Sequence, residues 1–242
     1  MARLICVMGD SGSGKTTSFR NLNPQETIFI DCDKKGIAPW KGFKQQYNGK
    51  NANFLQSRDV KQITGWLKYI SENQQMQHVR NIIIDTLNTC MVSKEFLDMK
   101  EKGYDKWADL AYGVWGLIEY AGTLRDNLNV IFTMHSEDVR DDFGYVNTRI
   151  KTNGRKLEKV KLESLFGVVL LAQTDDTGKH VFITESPNST AKTPLDCFPG
   201  KEIDNDMAYV LKALDEYEGI EEDTEEDTAK DKTKKADKEN KK

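Results

Sequence analysis

The sequence predicts an α/β fold in which helices cover both faces of a mostly parallel sheet, and three observations predict it. Short runs rich in β-branched residues, "RLICVMG", "TIFIDCD", "NIIIDT" and "NVIFTMH", lack the apolar–polar alternation of a strand with one wet face. Parallel strands covered on both sides read this way. Helical periodicity fills the spaces between them. The first run also leads straight into "GDSGSGKTT", a glycine-rich turn set between a strand and a helix.

In chain order, "RLICVMG" is the first strand and "TTSFRNL" opens a helix after the glycine turn. "TIFIDCD" and "NIIIDT" are the second and third strands. The clearest helix runs from about Tyr104 to Leu128, with Trp107, Leu110, Ala111, Val114, Ile118, Ala121 and Leu124 recurring at three- and four-residue steps. "NVIFTMH" follows as the fourth strand. "GVVLLAQ" and "HVFITE", joined by the turn chemistry of "TDDTGK", predict a C-terminal antiparallel hairpin. No internal repeat is visible.

The chain of 242 residues is long enough for one domain with a sizeable core. From residue 221, "EEDTEEDTAKDKTKKADKENKK" holds no aromatic and no large aliphatic residue, so it cannot bury enough surface to offset its ordering entropy. Residues 1–220 are therefore expected to form the domain and residues 221–242 a disordered charged tail. No apolar run approaches the roughly 20 residues of a membrane helix. "RLICV" is too short for the apolar core of a signal peptide. Cys6, Cys32, Cys90 and Cys197 lie far apart without a CxxC pair, as free thiols of a reducing cytosol would. A net charge of −4 excludes a uniformly basic nucleic-acid binder, so any such binding needs a local patch.

A strand, then GxxxxGK[ST], then a helix is the Walker A arrangement of a P-loop. Gly9, Gly12 and Gly14 permit backbone angles and close approach that a Cβ would block. The amides of Gly9, Asp10, Ser11, Gly12, Ser13, Gly14, Lys15, Thr16 and Thr17 would then converge on an anion at the helix N-terminus. Lys15 adds a charge for the β- and γ-phosphates of ATP, and the Thr16 hydroxyl is placed to bind Mg²⁺.

Ligands in such sheets sit at the carboxyl ends of the strands. Asp85 ends the apolar "NIIID", the Walker B position, where it can hold a water of the Mg²⁺ shell. Thr86 follows it, so the glutamate base of ABC and AAA+ proteins is missing there. Asp33 ends "FIDCD" and can orient or deprotonate the attacking water, or serve as a turn or cap residue. His135 ends "FTMH", where it can touch the γ-phosphate and sense its loss, or serve as a structural histidine. His78 and His180 read as structural.

Together, the early Walker A, "FIDCD", "IIIDT" and "FTMHSE" resemble the RecA-core ATPases over roughly residues 2–175. More closely, the chain resembles the short RecA-core proteins of bacteriophages that act in single-strand annealing and recombination. Their ending is similar to "PNSTAKTPLDCFPGKEIDNDM". The resemblance implies a RecA-like P-loop fold, with Asp33 as the catalytic carboxylate in place of the family's Glu and His135 as the γ-phosphate sensor. It also implies that Trp40 stacks on adenine, for which core packing is an equal explanation.

The segment "SEDVRDDFGYVNTRIKTNGRK" takes the place of the family's DNA-binding loop. Its Arg140, Arg149, Lys151, Arg155 and Lys156 would neutralise backbone phosphates, and Tyr145 beside Phe143 would stack on bases. Glu137, Asp138, Asp141 and Asp142 oppose this. The lysine-rich stretch "RKLEKVKLESLFG" reads first as a solvated helix face and only second as a DNA contact.

The resemblance thus implies a Mg²⁺-dependent ATPase of the bacterial host's cytoplasm, bound to single-stranded DNA and met by a single-strand-binding protein. Because the chain opens directly on its first strand, the extension that joins RecA subunits is not expected, leaving filament, ring and monomer open. A P-loop phosphotransferase is the alternative, disfavoured by the scarcity of clustered arginines. A nucleotide-gated interaction protein is a third reading.

Overall fold

A computed structural model describes residues 1–97, 105–152 and 161–220, with side chains described outside 93–112. In order, the elements are β1 (Arg3–Gly9), β2 (Thr27–Asp31), α1 (Phe43–Gln46), β3 (Phe54–Gln56), α2 (Val60–Glu72), β4 (Asn81–Asp85), α3 (Leu87–Leu97) and α4 (Asp105–Gly122). They continue as β5 (Asn129–Arg140), β6 (Val146–Ile150), β7 (Val168–Thr174), β8 (His180–Ile183), β9 (Glu202–Asp204) and α5 (Met207–Glu218). Two compact units divide the chain, Met1–Ala208 and a second from Tyr209 that holds most of α5. The expected tail, Arg155 and Lys156, and the side chains of Trp107, Leu110 and Ala111 lie outside what is described.

The sheet runs β3-β2-β4-β5-β1-β7-β8-β9, with β6 off this path and paired to β5. From β3 to β7 every neighbouring pair is parallel, while β7–β8, β8–β9 and β5–β6 are antiparallel. The mostly parallel α/β sheet is that of a P-loop NTPase. Strand β5 lies between β1, which leads into the glycine turn, and β4, which ends in Asp85.

Side chains alternate across a strand, so residue parity sorts the faces. Cys6, Met8, Ile28, Ile30, Ile82, Ile84, Val130, Phe132 and Met134 join one core cluster. Ile63, Leu67 and Ile70 of α2, Leu87 and Cys90 of α3, and Val114, Leu117, Ile118 and Ala121 of α4 complete it. Asp59 starts α2 by accepting from the Lys61 amide at 2.8 Å, which satisfies one of the helix's free donors. The opposite parity, Ile5, Val7, Phe29, Ile83 and Ile131, is buried on the other face. There Phe29 gathers Phe19, Phe43, Tyr47 and Phe54 with ring centroids 5.4–6.2 Å apart, the range of favourable aromatic pairs. Asp85, Thr133 and His135 share this second parity, so the fold aims them to the face that also carries Phe19.

Several expectations are corrected. The segment after the glycine turn is a single 3₁₀ stretch, Thr16–Asn21, and the helix expected to Leu128 stops at Gly122. Strand β5 does not end at His135 but runs on to Arg140, and β6 returns beside it. The expected DNA-binding loop is thus, through Ile150, a β-hairpin arm. Alternating side chains and the Asp141–Tyr145 turn let the strand continue where its polarity had suggested a loop. Among the described residues, no helix is long and apolar enough to cross a membrane.

Candidate active site

Strand β1 delivers the chain to Gly9, where a Cβ would lie 2.5 Å from both the Ala172 carbonyl and the Ser13 hydroxyl. Only glycine lets the turn pack this closely. Gly14 has φ +97°, and a Cβ there would meet His180 Cγ at 2.7 Å. His180 therefore forms part of the wall against which the turn is folded.

Within the turn, Lys15 is buried and its ammonium donates to the carbonyls of Gly9 and Asp10, each at 2.7 Å. Burial lowers its pKa, with Asp85 and Asp10 pulling the other way. The lysine closes over the loop and holds its charge where phosphate oxygens would compete with those carbonyls. The Ser13 hydroxyl is buried without a partner. An orphaned donor beside a glycine-lined turn and a desolvated lysine fits a phosphate group. Ser11 and Gly12 lie at the exposed tip of the turn, with Gly12 at φ +83°. Thr17 uses its carbonyl to accept from Arg20 at 3.1 Å.

The Thr16 hydroxyl donates to Asp85 Oδ2 at 2.9 Å. Asp85 Oδ1 accepts from Thr86 at 3.2 Å and from Thr133, which reaches across from β5. The carboxylate is buried, and that burial raises its pKa, against the hydrogen bonds from Thr133 and Thr16. Three hydroxyls thus line a buried carboxylate that makes no salt bridge among the described residues. This donor set suits a hard cation that completes its shell with water and phosphate oxygens. Among the described residues no group of three His, Cys, Asp or Glu could hold a metal alone, so the phosphate would have to share it.

Asp33 follows β2 and is held on both sides, by the Thr89 hydroxyl of α3 and by Lys35 Nζ at 2.5 Å. Burial would raise its pKa, but Lys35 and Thr89 outweigh that and hold it below the ordinary carboxylate range. So weak a base is better suited to orienting a water than to removing its proton. Its loop is fixed by Asp31, whose Oδ2 accepts from the Gly36 amide and the Gln56 carboxamide, each at 2.8 Å.

His135 stands opposite Gly9 in the β1–β5 register. Burial, then Lys15, lowers its pKa, and Lys35 and Lys151 add to this against Asp33. The ring is therefore neutral at neutral pH. Next to it, the Ser136 hydroxyl donates to Asp10 Oδ1 at 3.0 Å, tying β5 to the turn.

Trp40 packs edge-on to Phe43 at 5.0 Å and gives its indole N–H to Gln46 at 2.8 Å. Its ring thus joins the aromatic cluster.

In the arm, Phe143 is 88% exposed and Tyr145 73% exposed at the tip. Asp141 Oδ1 accepts from the amides of both, each at 2.9 Å, so the two rings flank a braced turn. Arg140 and Lys151 are exposed. Arg149 pairs with Glu137 at 2.9 Å, and Asp138 accepts from Thr148 at 2.7 Å. Three of the four acids that seemed to oppose an anionic partner thus have partners inside the arm.

Sequence reasoning missed Thr133, Thr89, Lys35, Ser136 and Asn88. Thr133 alone had a signal, a lone hydroxyl inside an apolar strand, two residues before His135 and therefore on its face.

A glycine turn closed by a lysine, a threonine after the turn bonded to an aspartate at a strand tip, and a strand inserted between β1 and β4 define a P-loop ATPase. The family model described as AAA domain matches residues 1–195, and the chain belongs to that family. No curated protein matches the chain.

Proposed function

We propose that this AAA-domain protein is a RecA-like ATPase of the phage recombination type, which binds single-stranded DNA and promotes annealing or strand exchange. One observation carries the proposal. A single strand, β5, sets His135 beside Gly9 and then continues as the arm that presents Phe143 and Tyr145.

In this reading the turn and Lys15 grip the β- and γ-phosphates of ATP, releasing Lys15 from the Gly9 and Asp10 carbonyls. Thr16 and Asp85 would hold Mg²⁺, which would supply charge neutralisation for the phosphate. Asp33 orients the water, since Thr86 leaves no carboxylate directly after Asp85. His135 contacts the γ-phosphate as a neutral donor. Arg140 and Lys151, with Arg149 once Glu137 yields it, draw in the DNA backbone, and Tyr145 stacks on bases. Arg155, Lys156 and Trp40 stay in the proposal on sequence grounds alone.

The test is ATP hydrolysis with and without single-stranded DNA, with the size of each mixture measured. Several-fold stimulation by DNA is expected, and Lys15→Ala should abolish turnover. Turnover indifferent to DNA would refute the DNA-dependent reading. A second reading, a nucleotide-gated interaction protein with little hydrolysis, is favoured by the way Lys35 and Thr89 engage both oxygens of Asp33. Tight ATP binding with almost no turnover would select it.

A further inference from the structure

We propose that Asn88 is a positioning residue that splices the root of the β5–β6 arm to the ATPase site and makes the arm responsive to bound nucleotide. The inference rests on nucleotide binding at the P-loop. It goes beyond that reading by naming the part that carries the signal.

The arm's pairing runs from Arg140↔Val146 down to Ser136↔Ile150. One step lower, His135 and Lys151 would exchange two backbone hydrogen bonds in a regular antiparallel ladder. Only one is made directly, with the Lys151 amide donating to the His135 carbonyl at 2.7 Å. In place of the other stands the Asn88 side chain. Its Oδ1 accepts from the His135 amide at 2.7 Å, and its Nδ2 donates to the Lys151 carbonyl at 2.8 Å. The carboxamide acts as an inserted peptide group. It supplies one acceptor and one donor in a single plane, a pairing that no hydroxyl or carboxylate of that length reproduces. Asn88 is buried, so losing either bond would leave a backbone group without a partner.

Asn88 lies in the first turn of α3, and its neighbours reach the other parts of the site. Thr86, just before the helix, donates to Asp85, and Thr89 donates to Asp33. The turn from Thr86 to Thr89, at the start of α3, therefore touches the metal carboxylate, the water carboxylate and both strands of the arm root. A ligand that draws Asp85 or Asp33 to a new position must move this turn or break its bonds, and the carboxamide passes that shift to His135 and Lys151 together. Coupling of this kind is reciprocal, so a ligand on the arm also biases the two carboxylates.

Hydrogen exchange on the full chain, with and without Mg²⁺ and a non-hydrolysable ATP analogue, tests this. Nucleotide binding is measured in parallel by calorimetry. In the native chain the analogue should slow exchange of the arm amides, Val139, Arg140, Val146 and Asn147, severalfold. In Asn88→Ala the His135 amide should exchange at least tenfold faster, and the arm's response to the analogue should fall by more than half. Asn88→Asp, which keeps shape and volume, should leave the His135 amide protected yet lose the arm response, because an oxygen would then face the Lys151 carbonyl. It also serves if the alanine variant does not fold. A native chain that binds the analogue without any change in the arm, or variants whose arms respond as the native one does, would overturn the inference. A native chain that binds no analogue would instead overturn the nucleotide reading on which it stands.

Discussion

Replacing Asp85 by asparagine should leave the nucleotide-free protein at least as stable as the native chain while abolishing turnover. Asp85 is 8% exposed, and among the described residues its carboxylate is bonded by the hydroxyls of Thr16, Thr86 and Thr133. Burying an ion costs several kcal/mol even after relaxation. Hydrogen bonds to a charged acceptor return about 1.5–3 kcal/mol each. The raised pKa says that the return falls short. Asparagine keeps the shape, its oxygen can accept from Thr133 and Thr86, and its amide can donate to Thr16 after that hydroxyl rotates. The bonds weaken but none is orphaned, so the net change should stay within about 2 kcal/mol and favour the variant. At this chain size about 1 kcal/mol corresponds to a rise in Tm of roughly 2–4 °C.

The sign can be checked with pH. A carboxyl whose folded pKa is raised binds its proton more tightly in the folded chain. Its contribution is therefore greatest at low pH and is lost as pH rises through the folded pKa. The variant lacks that loss, so its advantage should widen as pH rises above the ordinary carboxylate range in thermal melts run without Mg²⁺ or nucleotide. If Asp85→Asn is less stable than the native chain by more than about 2 kcal/mol at high pH, the hydroxyls are tuned to the anion and the reasoning fails.

Three further outcomes are expected. Because burial and Lys15 depress the His135 pKa, its ring protonates only below the ordinary histidine range; stability and turnover should fall as pH drops through that depressed pKa. His135→Gln should remove that acid limb, and a limb that persists in it would exclude the imidazole. Gly14→Ala combines a left-handed φ with a clash on His180, so it should cost about 1–3 kcal/mol in chemical denaturation. Adding His180→Ala should restore part of the loss, and no restoration would remove His180 from the wall of the turn. Phe143→Ser with Tyr145→Ser should leave the Tm nearly unchanged, since both rings are exposed. The same pair should weaken single-strand binding by about 1–3 kcal/mol per stacked base in a gel shift, and unaltered affinity would exclude the arm tip.

Much of the frame was legible in the sequence because covered parallel strands carry a dense apolar code. "RLICVMG" matches β1 residue for residue, and the glycine spacing announced the turn before any geometry was known. The short edge strands β3 and β9, with three residues each, carry too little pattern to detect. The arm was hidden for a different reason. Its residues alternate among acids, bases and threonine, and such a strand reads as a solvated loop until its partner is known. Within the site, each group at the end of an apolar strand was visible, but its partners were not. Thr89 reaches Asp33 across 56 residues and Thr133 reaches Asp85 across 48, distances over which a single sequence carries no signal. Cys32 and Cys90, far apart in the chain, likewise join one buried core cluster.

The double membership of β5 sets a rule for how the arm can change in length. Side chains alternate with a period of two, so a single residue inserted between His135 and Ser136 would turn every arm side chain to the opposite surface. It would also strip Asp10 of its serine. A pair of residues added to each strand beside Gly144 would only lengthen the finger and carry its aromatic tip outward. The root is therefore fixed in phase, while the tip is free to be extended, shortened or grafted.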